Sequence, residues 1–202
     1  MGRYASDPGG GDFEDPEPGT YAARCYRVID LGTQHSEKYD RDVNRVMVTW
    51  ELVGTEMEDG RPFSMARFYT NSLHEKAGLR NDLEAWRGRE FTEQELSRFD
   101  LAQILDKPCL LNVIHKSKDG KARAQVAAVM ALPKGQAIGQ CANKIVSFFL
   151  DEPDWGVFKT LSERLQKQIT ASPEYKRSMA GTPAPGPDGN EAPPPPDDDC
   201  PF

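Results

Sequence analysis

The chain has 202 residues, 38% of them apolar, with four cysteines and a net charge of −7. That length holds one ordinary domain with extensions, no apolar run approaches the roughly 18 residues of a membrane span, and no basic start leads into an apolar stretch as in a secretory signal. The cysteines show no CxxC spacing and no histidine set beside them, so neither a metal nor another cofactor is expected, and reduced thiols in the cytoplasm are.

The opening residues 1–18 contain "SDPGGGDFEDPEPG", and 181–202 read "GTPAPGPDGNEAPPPPDDDCPF"; both compositions predict disorder. The two ends carry about −4 and −5 of the total of −7, which leaves about +2 on residues 19–180. A body near neutrality retains the freedom to gather its bases into a patch for a polyanion.

From Gly19 the pattern is one of short alternating runs. "TYAARCYRVIDLG" predicts a strand with Tyr21, Ala23, Cys25 and Ile29 on one side and Thr20, Arg24, Tyr26 and Val28 on the other. "NRVMVTWELVG" predicts a second, with Trp50 in phase with Val46, Val48 and Leu52 and therefore in the core; after a turn at Asp59 and Gly60, "PFSMARFYTN" predicts a third. The period then lengthens: Leu79, Leu83 and Trp86 lie three to four apart in a helix that should stop at Gly88, and "TEQE" has the form of a capping box opening a further turn or two. "CLLNVIH" and "ARAQVAAVMAL", joined by "KSKDGK", complete five strands. Beyond them Phe158, Leu161, Leu165 and Ile169 repeat at helical spacing, predicting one amphipathic helix on the body or on another subunit. The expected organisation is a disordered segment 1–18, a β-domain 19–135, a helical extension 136–180 and an acidic, proline-rich tail 181–202.

Five strands with a helix between the third and fourth is the order of the OB-fold, a small barrel whose strand 2 and 3 face and adjoining loops hold oligonucleotides. A single strand is held by cations on its phosphates and by flat side chains under its bases. The loop after the first strand supplies Lys38, Tyr39, Arg41 and Arg45; the turn between the last two supplies Lys116, Lys118, Lys121 and Arg123. Two cation-and-ring pairs, Arg24 with Tyr26 and Arg67 with Tyr69, each point one way along a strand, and Arg87 stands at a helix end. Other readings stay open for these residues: a charged hairpin tip is also ordinary solvated surface, the tyrosine rings also suit a core with only the hydroxyl wet, and Arg87 also suits the helix dipole. No Gly-rich GK[ST] loop, GxSxG or HExxH motif is present, so catalysis is not expected.

The stretch from Gly19 to Ala131, above all Leu79, Arg80, Leu83, Trp86, Arg87 and Gly88, resembles phage and prophage OB-fold proteins regarded as single-stranded-DNA-binding or replication-associated. The tail is similar to that of bacterial single-stranded-DNA-binding proteins at Asp197, Asp198, Asp199, Pro201 and Phe202, with Cys200 where that family usually has isoleucine. These resemblances imply a phage-type protein that coats single strands in replication, recombination and repair, and whose tip fills a base-rimmed, apolar pocket on a partner enzyme. One barrel per chain favours a homo-oligomer for avidity. The competing expectations are a replisome adaptor whose barrel binds protein and, after it, a replication-associated nuclease.

Overall fold

One strand of 18 residues, Gly19–Ser36 (β1), organises everything that follows. In the computed structural model, which describes residues 14–36, 40–118 and 121–180, β1 pairs antiparallel with both Arg41–Glu56 (β2) and Pro108–Lys118 (β4). Pro62–Thr70 (β3) pairs with β2, and Lys121–Met130 (β5) with β4, giving the order β3-β2-β1-β4-β5. A sixth strand, Val146–Phe148 (β6), lies parallel to β1 at Arg27 to Ile29, just past the stretch of β1 that β4 covers. The sheet therefore has six strands where the pattern predicts five. Its hydrogen-bonded path stays open between β3 and β5, whose Cα atoms nonetheless approach within 8 Å.

Two irregularities bend β1. Tyr26 is an extra residue between the Cys25–Trp50 and Arg27–Thr49 pairs, and Leu31 is another between Asp30–Val46 and Gly32–Arg45. The first inverts the alternation expected from the sequence, because each inserted residue moves the rest of a strand to the other face. Val28 thus joins Ala23 and Cys25 in the inner core, with Trp50, Leu83 and Leu111. Ile29, expected beside Cys25, turns outward to a second core with Leu31, Met47 and Phe68. At the second irregularity Gly32 adopts φ +67°, and the Asp30 carboxylate accepts its N–H at 2.8 Å.

The helix between β3 and β4 forms as its period predicts. Gly78–Arg87 (α1) buries Leu79, Leu83 and Trp86 and ends on left-handed Gly88. Glu93–Ser97 (α2) opens on the Thr92 and Glu95 capping box. The single amphipathic helix expected further on is instead three: Trp155–Phe158 (α3), Glu163–Ala171 (α4) and Pro173–Ala180 (α5). Ser162 caps α4, and the Ser172 hydroxyl accepts the Tyr175 N–H at 3.2 Å while Pro173 begins α5 without needing an N–H of its own. Phe148, Trp155, Phe158 and Tyr175 cluster ring against ring and seal this layer onto the outer side of β1, β2 and β3. Among the described residues no helix is long and apolar enough to cross a membrane.

Candidate nucleic-acid interface

The two cation-and-ring pairs sit on opposite faces of the sheet. Arg24 faces outward opposite Glu51, whereas Arg67 and Tyr69 pair with the inner-core residues Val48 and Val46. Arg24 is only 9% exposed: its Nε donates to the Gly139 carbonyl at 3.0 Å and its Nη1 forms an ion pair with Asp106 at 3.2 Å. Tyr26, 5% exposed, shares a hydrogen bond with Ser64 Oγ at 3.1 Å. On the other face the buried Tyr69 hydroxyl donates to Asp82 Oδ2 at 2.6 Å, and Arg67 Nη1 reaches the same oxygen at 2.9 Å. Burial pushes the Asp82 carboxyl up, against the pull of Arg67 and Tyr69. The shared groove expected from these four residues is not formed, because side chains of odd and even phase cannot meet across a pleated sheet.

Arg87 is likewise engaged within the fold. It pairs with Glu95 of α2, and its guanidinium covers the Phe91 ring at 4.4 Å and the Phe99 ring at 5.3 Å. Arg41 stands opposite Ser36, and Arg45 lies between Gly32 and Thr70; both are partly buried. Lys38, Tyr39 and the six tip residues lie outside the described residues, as do the side chains of Lys118 and Lys121.

A different arrangement gathers the remaining cations. The β1–β4 ladder begins at the Gly19–Val113 pair, so β4 and β5 continue past it as a two-stranded ribbon. Ala127, an extra residue between the Asn112–Ala128 and Val113–Val126 pairs, puts a bulge at the base of this ribbon, where a strand bends and its twist increases. Beyond it Lys116 stands opposite Arg123 and Lys118 opposite Lys121. Alternation puts these four positions on one face together with Ile114 and Gln125, while His115 and Ala124 continue the phase of the buried Val113 and Val126. Ile114 is 42% exposed and the Arg123 side chain 53%. Neither strand contains an acidic residue, and the Asp15 carboxylate approaches Arg123 only to 3.9 Å. Like charges placed directly across a ladder repel, so basic residues at four facing positions favour anions nearby, as the Asp15 carboxylate beside Arg123 shows.

A cleft of about 1300 Å³ has the opposite character. Five carboxylates line it, among them Asp30, Asp151 and Asp154, against the two bases Arg98 and Lys144. A polyanion is disfavoured there. Among the described residues the thiols are poor nucleophiles: burial raises Cys25 and Cys109 far above the ordinary thiol value, and Cys141 is pushed up to about 11.

Two features escaped the sequence reading. Glu51, buried on the outer face, accepts the backbone N–H groups of Ala142 and Asn143 at 2.7 and 2.8 Å, so that residues 138–143 form a strap across β1 and β2. Arg27 also lies on that face, although strict alternation assigns it to the core with Cys25. A cation in a core phase, followed by two adjacent apolar residues, is the signal of a bulge that was available. Comparison with protein-family models and with curated proteins finds no match for this chain.

Proposed function

We propose that this protein binds single-stranded DNA without acting on it, and coats it during replication, recombination and repair. The carrying observation is the ribbon face of Lys116, Lys118, Lys121 and Arg123, basic at every one of four facing positions on two strands that contain no acidic residue. Phosphate neutralisation is the sequence-independent part of such binding. The sheet order, with β1 shared by β2 and β4, α1 packed at the inner core and β3 near β5, supports reading the body as an OB-fold barrel with hairpins that reach around a strand. In this reading the tail residues from Asp197 onward recruit a partner enzyme, and the strap and helical layer shift the burden of contact from the strand 2 and 3 face to the hairpins.

The test is fluorescence anisotropy with labelled oligo-dT and with duplex of equal length, across a salt series. The native chain should prefer the single strand. Replacing Lys116, Lys118, Lys121 and Arg123 by glutamine should reduce the slope of log K against log salt by about 0.7 per lost contact and by close to 3 in all, which at 0.1 M salt is a loss of about 10²–10³-fold. Absence of oligo-dT binding at low salt, or equal binding to duplex, overturns the proposal.

A further inference from the structure

Of the outward-facing cations on β1, Arg27 is the one without a polar partner among the described residues. Arg24 beside it donates to the carbonyls of Gly139, Ile138 and Asp106 and to the Asp106 carboxylate, whereas the Arg27 guanidinium makes no hydrogen bond or ion pair with any described residue and lies over the Tyr26 ring at 5.3 Å. Its Nε is enclosed and without a partner; so is Oγ1 of Thr49, which faces it across the ladder on a residue only 4% exposed. The ring is in turn fixed by the bond of its hydroxyl to Ser64. Partial burial of an unpaired guanidinium costs stability, and a fold that removes Arg24 from solvent with four acceptor atoms supplies none among the described residues to the guanidinium of its neighbour on the same face.

We propose that Arg27, set over the Tyr26 ring at the bulge of β1, is an anion subsite that takes one phosphate group of the bound strand, separate from the ribbon. The inference rests on the DNA-binding reading and names a further contact within it. The bulge is what makes the site: the extra residue sets Tyr26 and Arg27 side by side outward, where regular alternation would have sent Arg27 inward. Nε and the Thr49 hydroxyl are enclosed while Arg27 as a whole is only partly buried, so an anion would meet the guanidinium in a partly desolvated surround, where a charge-assisted hydrogen bond is stronger than at an open surface. The contact with the Tyr26 ring and the enclosure of Nε restrict the side chain before binding, so less rotamer entropy is lost when the planar fork takes an anion.

The experiment compares native protein with Arg27→Gln, Arg27→Lys and the ribbon variant by anisotropy with oligo-dT over a salt series, alongside thermal melts with and without inorganic phosphate. Arg27→Gln should lower the salt slope by about 0.7 and the affinity at 0.1 M salt by about fivefold, with a melting temperature unchanged or raised, since no partner is left unsatisfied. Arg27→Lys should keep most of the slope yet lose affinity, because an ammonium lacks the planar donor fork. If inorganic phosphate raises the native melting temperature but not that of Arg27→Gln, the subsite takes the free anion as well; if only oligo-dT responds, it takes the phosphodiester of a strand. A native chain that binds oligo-dT while Arg27→Gln matches it in slope and affinity overturns the inference and leaves the ribbon reading standing. A lowered melting temperature with unchanged binding also overturns it, because Arg27 would then serve the fold. Failure of the native chain to bind oligo-dT overturns both.

Discussion

Substituting Gly32 by alanine strikes the point where β1 turns beneath the α4–α5 junction. Its φ of +67° costs an L-residue about 1–2 kcal/mol. An added Cβ would stand 2.6 Å from Ser172 Cβ and 2.7 Å from Ser172 Oγ, closer than any relaxed contact. Ser172 has no room to yield: it is wholly buried, and its hydroxyl both donates to the Ile169 carbonyl at 2.7 Å and accepts the Tyr175 N–H. Forcing such a contact typically adds about 1–3 kcal/mol, so Gly32→Ala should cost about 2–5 kcal/mol, or roughly 5–15 °C in melting temperature for a body of this size. Gly60 supplies the control, since it has φ +80° and a Cβ added there would meet no atom within 4 Å. Gly60→Ala should cost only about 1–2 kcal/mol, the backbone part alone. Urea unfolding followed by tryptophan fluorescence measures both. Equal losses in the two variants would refute the close-approach argument, and no loss in Gly32→Ala would refute the register of the bulge as well.

Three further outcomes are expected. Glu51→Ala should strip the strap of its acceptors at about 1–3 kcal/mol, seen as faster amide exchange at Ala142 and Asn143 with slower-exchanging strands unaffected. Asp82→Asn should destabilise by about 1–3 kcal/mol, as read from urea unfolding, because Arg67 and the Tyr69 hydroxyl lose a shared charged acceptor inside the fold. Glu95 is held well below its ordinary value of 4.5, first by the Arg89 side chain, then by the Thr92 N–H and by Arg87. A depressed carboxyl stabilises above its unfolded value and loses that contribution as pH falls through the folded one, so acid should destabilise the native chain below about pH 4.5 more than it does Glu95→Gln, as read from melting temperatures between about pH 3 and 7.

Local chemistry was legible in the sequence wherever a signal and its effect lie within a few residues. Gly88 stops α1 and Thr92 with Glu95 caps α2 because both act within a single turn. The four cations around the 118–121 turn were legible as a group, and the register adds that they share a face. Parity across a bulge was not legible in the same way. Tyr26 enters β1 unpaired because of how Cys25 and Arg27 align with Trp50 and Thr49, which is a property of β2 as much as of β1. Nor was β6, whose three residues are too few to alternate and are recruited by the edge of a strand far away in the chain. The burial of Arg24 follows from that distance too, since its acceptors at Ile138 and Gly139 belong to a segment with no periodicity of its own.

Because β1, β2 and β3 contribute to a core on each side, with Ile29, Leu31, Met47 and Phe68 of the outer side covered by residues from Val146 to Tyr175, order of synthesis matters. On the ribosome the strands emerge first and expose a greasy slab of Ile29, Leu31, Met47 and Phe68 until about a hundred further residues have been added. A fragment trimmed back to the strands for crystallography would carry that slab permanently and precipitate or pair with its own kind. The smallest well-behaved unit of this molecule therefore reaches through α5, and any shortened version for biophysical work should keep it.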